Sequence, residues 1–205
     1  MNLIKQFTFW LLTVVVCVFA QTKDVCASHF SAAEIYWECL TTGPDAGKFV
    51  FYVALYVDCS VNPNVTNPPQ LDVTNVPTMT SLATNLVPGY PQDATPSECG
   101  FSCADAIQDI SLNKWLFASA PTTIPGPPPS AGYTFSYEVC CRIEATNFAS
   151  GANTQVTRYA MTMYPYNGQN TDSCYDSGPR FTEPPTSLRC AGYPLRYNPN
   201  AIDAD

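Results

Sequence analysis

Basic residues and histidine are scarce in this chain. Nine Lys and Arg face seventeen Asp and Glu among 205 residues, a formal net charge of −8, and His29 is the single imidazole. Nucleic acid is recognised through clustered cations that displace counterions, so that partner class is not expected. Catalytic signatures are equally thin: there is no Gly-x-Ser-x-Gly elbow, no His-Glu-x-x-His pair and no phosphate-cradling glycine loop. His29 sits in an Ala-Ser-His segment and reads as a surface or packing residue. Carboxylate pairs such as Glu34/Glu38 and Asp172/Asp176 have the chemistry for glycoside hydrolysis, but in an acidic chain they read first as solvated side chains. The expectation is a protein that is not an enzyme and carries neither cofactor nor metal.

Helical periodicity and internal repeats are nearly absent as well, and charged residues make up just 13% of the chain. Beyond the first twenty residues no run approaches the roughly 20 apolar residues of a membrane span. Residues 1–20 themselves have the layout of a secretory leader: Met1-Asn-Leu-Ile-Lys5, an apolar stretch from Phe7 to Phe19, and Val18-Phe-Ala20 ahead of a cleavage point before Gln21. No membrane insertion is expected once it is removed. Cys17 would leave with it, so nine of the ten cysteines belong to residues 21–205.

Nineteen prolines and many Thr, Asn and Ser mark a loop-rich extracellular β protein. Ala32 to Leu40 reads as a first strand and Thr41 to Gly47 as its turn. Lys48 to Cys59 follows as a strand apolar on both faces, hence central and covered twice. Gln70–Asn75, Thr78–Leu86, Tyr133–Arg142 and Thr154–Tyr164 read as further strands. Asp109–Ser119 is strand or short helix, Val87–Asp105 is irregular, and the tail holds at most one more strand. In Tyr133-Thr-Phe-Ser-Tyr-Glu-Val-Cys-Cys-Arg142, alternation puts Tyr133, Phe135, Tyr137, Val139 and Cys141 on one face. These elements predict an all-β, antiparallel, Ig-like sandwich, disulfide-stabilised, with residues 21–205 as one module and about 190–205 as an incomplete strand region.

An exported chain meets an oxidising environment, which favours disulfides over a four-thiolate metal set from Cys99, Cys103, Cys140 and Cys141. Adjacent cysteines such as Cys140 and Cys141, with Cα atoms about 3.8 Å apart, fall below the roughly 4.4 Å span of ordinary disulfides, so each seeks a partner elsewhere. In a hairpin of the first two strands, Cys39 and Cys59 would lie some 35 Å apart, so this pair is not expected.

The ordered set Ala27-Ser-His-Phe-Ser-Ala-Ala-Glu-Ile-Tyr-Trp-Glu-Cys-Leu40, Tyr56-Val-Asp-Cys59, Cys99 with Cys103, the Cys140-Cys141 strand, Cys174-Tyr-Asp-Ser-Gly-Pro-Arg-Phe181, Cys190 and Ala201-Ile-Asp-Ala-Asp205 resembles the amino-terminal module of Bacteroidota gliding-motility-associated, type IX-secreted adhesin-like surface proteins. The resemblance implies a structural or adhesive module, secreted or at the cell surface, that meets other surface proteins or itself. It also implies disulfides among Cys39, Cys59, Cys99, Cys103, Cys140, Cys141, Cys174 and Cys190, with Cys26 left as a free or intermolecular thiol. Members usually continue beyond the position of Asp205 to a sorting domain; read as truncated, this chain would stay in the periplasm.

Tyr164, Tyr166, Tyr175, Tyr193 and Tyr197 crowd the last third of the chain and are candidate glycan contacts, the alternative functional reading. Asp203 and Asp205 resemble the start of an acidic calcium turn. Too few ligands accompany them for the six to eight oxygens calcium takes, so Ala201–Asp205 is expected to be disordered and to bind calcium no tighter than millimolar.

Overall fold

In the computed structural model, the described residues are 30–59, 68–95, 102–105, 111–140, 156–165, 174, 176–183 and 200–203. The two longest period-two runs form a hairpin. Strands β1 (Phe30–Cys39) and β2 (Phe49–Asp58) pair antiparallel from Cys39↔Phe49 to Phe30↔Val57, with one irregularity between Phe30 and Ala32. The connecting turn closes through the Gly47 N–H, which donates to the Leu40 carbonyl at 2.7 Å. Gly47 holds a φ of 85°, which a residue without Cβ adopts at little cost.

Strand β2 is apolar on both faces and buried on both. Phe49, Phe51, Val53, Leu55 and Val57 enter the main core, whereas Ala54 and Tyr56 join a second cluster with Tyr36 and Leu116. Its other neighbour is β6 (Leu112–Ser119), paired from Tyr52↔Ala118 to Asp58↔Leu112. Strand β4 (Ser81–Leu86) is shared between two sheets: Ser81–Ala83 pair with β3 (Gln70–Thr74), and Thr84–Leu86 pair with β6. Strand β3 pairs in turn with β7 (Tyr133–Cys140), and β7 with β8 (Val156–Met163) along its whole length. The order β1-β2-β6-β4-β3-β7-β8 is antiparallel throughout, and it folds at β4 into two layers. This is the antiparallel sandwich that the strand pattern predicts.

The layers meet on an aromatic triangle. Phe51 and Phe135 have ring centroids 4.2 Å apart, and Trp37 lies 5.9 Å from each. Strand β7 delivers Tyr133, Phe135 and Val139 to this core with Tyr137 packed against it, as its alternation requires. From the far edge, β8 adds Met163, supported by Tyr159 and Met161. The buried Ser119 hydroxyl accepts the Phe51 N–H at 3.0 Å and donates to the Ala120 carbonyl at 2.9 Å, meeting the need to satisfy polar atoms removed from water, whereas the buried Trp115 indole N–H has no hydrogen-bond partner among the described residues.

Of the two readings left open for Asp109–Ser119, strand is the one seen, as β6 over Leu112–Ser119. Three readings of the sequence are corrected. The Val87–Asp105 stretch is not wholly irregular, because β5 (Gln92–Asp93) pairs with β6 and Cys103–Asp105 form a short 3-10 turn. The tail holds two short strands where at most one was expected: β9 (Arg180–Phe181) pairs with β10 (Ala201–Ile202). Ala201 and Ile202 are thus ordered, against the expectation of disorder, because their backbone groups find long-range partners.

Candidate functional site

Strand β1 is the edge of its sheet, and an edge carbonyl and N–H left open invite another strand. Here a strap, residues 174 and 176–183, lies along it. The Cys39–Cys174 disulfide fixes one end, with Cα atoms 5.4 Å apart. Next to it the Gly178 N–H donates to the Trp37 carbonyl at 2.9 Å, and the Trp37 indole N–H donates to Asp176 at 3.1 Å. Farther along, the Arg180 guanidinium donates to Glu38 at 2.9 Å and the Phe181 N–H donates to Glu34 at 2.6 Å. Glu34 and Glu38 lie on one face of β1, four residues apart. Their carboxylates therefore fasten β9 to the sheet, and Asp176 holds the indole; Asp172 lies outside the described residues.

Beside this strap is a cleft of about 400 Å³, within the size range of small-molecule sites. Trp37, the Cys39–Cys174 disulfide, Thr41 and Ser177 are among the residues that line it. Pairing of Ile202 with Arg180 puts both on the same face of the β9–β10 ribbon, and both line the cleft together with Asp203. Phe181, on the opposite face, is exposed.

The outer face of β1 and β2 next to the strap is rich in tyrosine. Tyr36 and Tyr52 are cross-strand partners whose rings stack with centroids 4.8 Å apart at 14°. Burial raises both phenol pKa values, and the Glu38 charge adds to the effect. Burial likewise pushes the Glu34 carboxyl above its ordinary value, despite the Phe181 N–H and the charges of Lys114 and Arg180. Lys114 stands 5.7 Å from the Tyr56 ring centroid.

At the other end of the hairpin, Cys59 is joined to Cys103 with Cα atoms 5.3 Å apart. Asp93 organises this corner, accepting the Cys103 N–H at 2.7 Å and the Thr95 N–H at 2.9 Å. Burial works to raise the Asp93 pKa, but the hydrogen bonds from Thr95 and Cys103 outweigh it and lower the value.

Four of the predicted disulfide cysteines, Cys39, Cys59, Cys103 and Cys174, are thus bonded in two pairs, and neither pair is Cys39–Cys59. Strand β7 includes the Cys140 backbone; Cys99, Cys141, Cys190 and Cys26 lie outside the described residues. Of the candidate glycan-contact tyrosines, Tyr164 is 60% exposed just after β8, while Tyr166, Tyr175, Tyr193 and Tyr197 lie outside the described residues. The cleft was not anticipated from the sequence, since it joins residues some 160 positions apart; the clue available was Cys174, which needed a distant partner. Among the described residues there is no group of three or more His, Cys, Asp or Glu placed to hold a metal ion, and no helix long and apolar enough to cross a membrane.

Comparison with family models, curated proteins and solved structures gives no match to this chain. Nothing there ties it to the Bacteroidota surface proteins. The two disulfides point to an oxidising compartment, extracellular or periplasmic.

Proposed function

We propose that this chain is a non-catalytic structural or adhesive module of a secreted or cell-surface protein. The observation that carries the reading is the placement of the two disulfides. They pin opposite ends of the β1–β2 hairpin, Cys39 beside its turn and Cys59 at the end of β2, to segments distant in sequence. Crosslinks of this kind constrain the unfolded chain and typically contribute about 2–4 kcal/mol each. A scaffold so tied survives outside the cell and presents its surfaces rigidly. The carboxylates considered as a catalytic pair, Glu34 and Glu38, are engaged with β9, which supports a structural role for them. Docking to other surface proteins, or to further copies of the chain, fits this reading. The likeness to gliding-motility-associated adhesins agrees with it and rests on the sequence alone.

The test is attachment. Beads coated with oxidised protein corresponding to residues 21–205 should adhere to cell surfaces or polysaccharide films, and reduced, alkylated protein should lose most of that adhesion. A panel of glycoside, ester and peptide substrates should show no turnover. Turnover by the pure protein, or adhesion that never exceeds that of an inert coating, contradicts the reading.

A further inference from the structure

We propose that the Cys39–Cys174 disulfide is a thiol–disulfide exchange site, opened by a small dithiol from the cleft it lines, and that its opening releases the strap from the edge of β1. Both cysteines are among the residues lining the cleft of about 400 Å³, so the bond borders a space within the size range of small-molecule sites. Exchange needs such access, because a thiolate must reach one sulfur of the pair. In the first step that thiolate bonds to one sulfur, the Cys39–Cys174 bond breaks, and the other cysteine leaves as a thiolate that takes a proton from water. The second thiol of the reagent then loses its proton and attacks the mixed disulfide. The remaining cysteine is freed and the reagent closes as a cyclic disulfide, so two electrons pass from the dithiol to the crosslink.

The crosslink is what the strap depends on. Its other contacts with β1 include the bond from the Gly178 N–H to the Trp37 carbonyl, the bond from the Trp37 indole N–H to Asp176, and the bonds to Glu38 and Glu34 at exposed positions. The Arg180 and Glu38 side chains are 46% and 44% exposed, and ion pairs so placed add little. Without the crosslink, these contacts face the conformational freedom that the strap regains. Beneath it lies a strand edge. The Leu40 N–H donates to the Lys48 carbonyl and the Gly47 N–H to the Leu40 carbonyl, so the Leu40 backbone faces β2, and by alternation that of Cys39, Trp37 and Ile35 faces outward. Release therefore uncovers the Trp37 carbonyl and the side of its ring against which Gly178 rests, a ring 1% exposed while the strap is seated. The Cys59–Cys103 corner differs. The Cys59 N–H donates to the Ser111 carbonyl at 2.9 Å, the Ser111 hydroxyl to the Ser102 carbonyl at 2.9 Å and the Cys103 N–H to Asp93 at 2.7 Å, so backbone on both sides of that bond stays anchored when it is cut.

The test treats the oxidised protein, residues 21–205, with graded dithiothreitol, and follows each cysteine by alkylation and mass spectrometry and each amide by hydrogen exchange in NMR. Cys39 and Cys174 should become alkylated while the Val53 and Leu55 amides of β2 stay protected. In the same samples the Gly178 and Phe181 amides should exchange about tenfold faster, and the Trp37 indole N–H signal should move toward that of an indole in water. Oxidised dithiothreitol should restore slow exchange. Cys39→Ser/Cys174→Ser should exchange rapidly at Gly178 with no reductant present, whereas Cys59→Ser/Cys103→Ser should keep that exchange slow. Alkylation of Cys39 and Cys174 that begins when Val53 and Leu55 lose protection, and not before, overturns the proposal, as does opening of the bond with unchanged exchange at Gly178 and Phe181. Both results are read on wild-type protein, whether or not a variant folds. The adhesive reading is not assumed, so failure of bead attachment leaves this outcome to be decided by the exchange data.

Discussion

Gly178 rests against Trp37 so closely that a Cβ at position 178 would stand 2.8 Å from the Trp37 nitrogen and 3.0 Å from its ring. The same glycine donates its N–H to the Trp37 carbonyl, so the strap follows the β1 edge at backbone distance. Neither the strand backbone nor the buried indole has room to retreat. Gly178→Ala should therefore destabilise the fold by about 1–3 kcal/mol, the usual range for overpacking, and lower the melting temperature by several degrees. An unchanged melting temperature would show that the strap is not seated on β1.

The two disulfides differ in what they span, 135 residues for Cys39–Cys174 and 44 for Cys59–Cys103. Closing the longer loop removes more entropy from the unfolded chain, although the dependence on length is shallow. With the other cysteines kept, the double variant Cys39→Ser/Cys174→Ser should lose about 1 kcal/mol more stability than Cys59→Ser/Cys103→Ser. Chemical denaturation under non-reducing conditions measures both. The opposite ranking would mean that the strap contributes less than the corner around Asp93.

Core truncation gives a larger effect. Phe135 is fully buried and its ring contacts both Phe51 and Trp37 across the two layers. Phe135→Ala should cost about 3–5 kcal/mol, whereas Tyr164→Ala, at an exposed position, should stay within about 0.5 kcal/mol. Comparable losses from the two would contradict the placement of the core.

Two carboxylates carry pH dependence of opposite sign. Glu34 has a folded pKa raised above its ordinary 4.5. Its contribution is fully present below the unfolded value and is lost as pH rises through the raised folded value. Glu34→Gln, which keeps an oxygen for the Phe181 N–H, should remove that loss and leave stability at neutral pH equal or higher. Asp93 has a folded pKa lowered below its ordinary 3.8. It contributes stability above the unfolded value that disappears as pH falls through the lowered one, so Asp93→Asn should lower stability at neutral pH and have less effect in strong acid. Melting temperatures of both variants from acid to neutral pH check the signs; a loss at neutral pH from Glu34→Gln would contradict the first.

What could be read from the sequence is what local pattern encodes. Strand β2 announces its central place through Phe49 to Val57, apolar on alternate positions of both faces, and β7 announces its inward face through Tyr133, Phe135 and Val139. The separation of Cys39 from Cys59 follows from hairpin geometry alone. By contrast, β9 and β10 are two residues each, too short for any periodicity, and they exist because Arg180–Phe181 and Ala201–Ile202 supply one another's backbone partners. Local preference argued for disorder at Ala201, and a long-range pairing overruled it. The strap was invisible for the same reason: Gly178, Asp176 and Arg180 acquire roles only once Cys174 has found Cys39. Asp93 was likewise hidden in a stretch that reads as loop.

The most direct test of this account is disulfide mapping of non-reduced protein, alkylated before digestion and sequenced by mass spectrometry. It should yield one crosslinked peptide pair joining Cys39 to Cys174 and another joining Cys59 to Cys103. Free, alkylated Cys39 and Cys174, or a peptide joining Cys39 to Cys59, would remove the strap, the cleft beside it and the extracellular reading built on them.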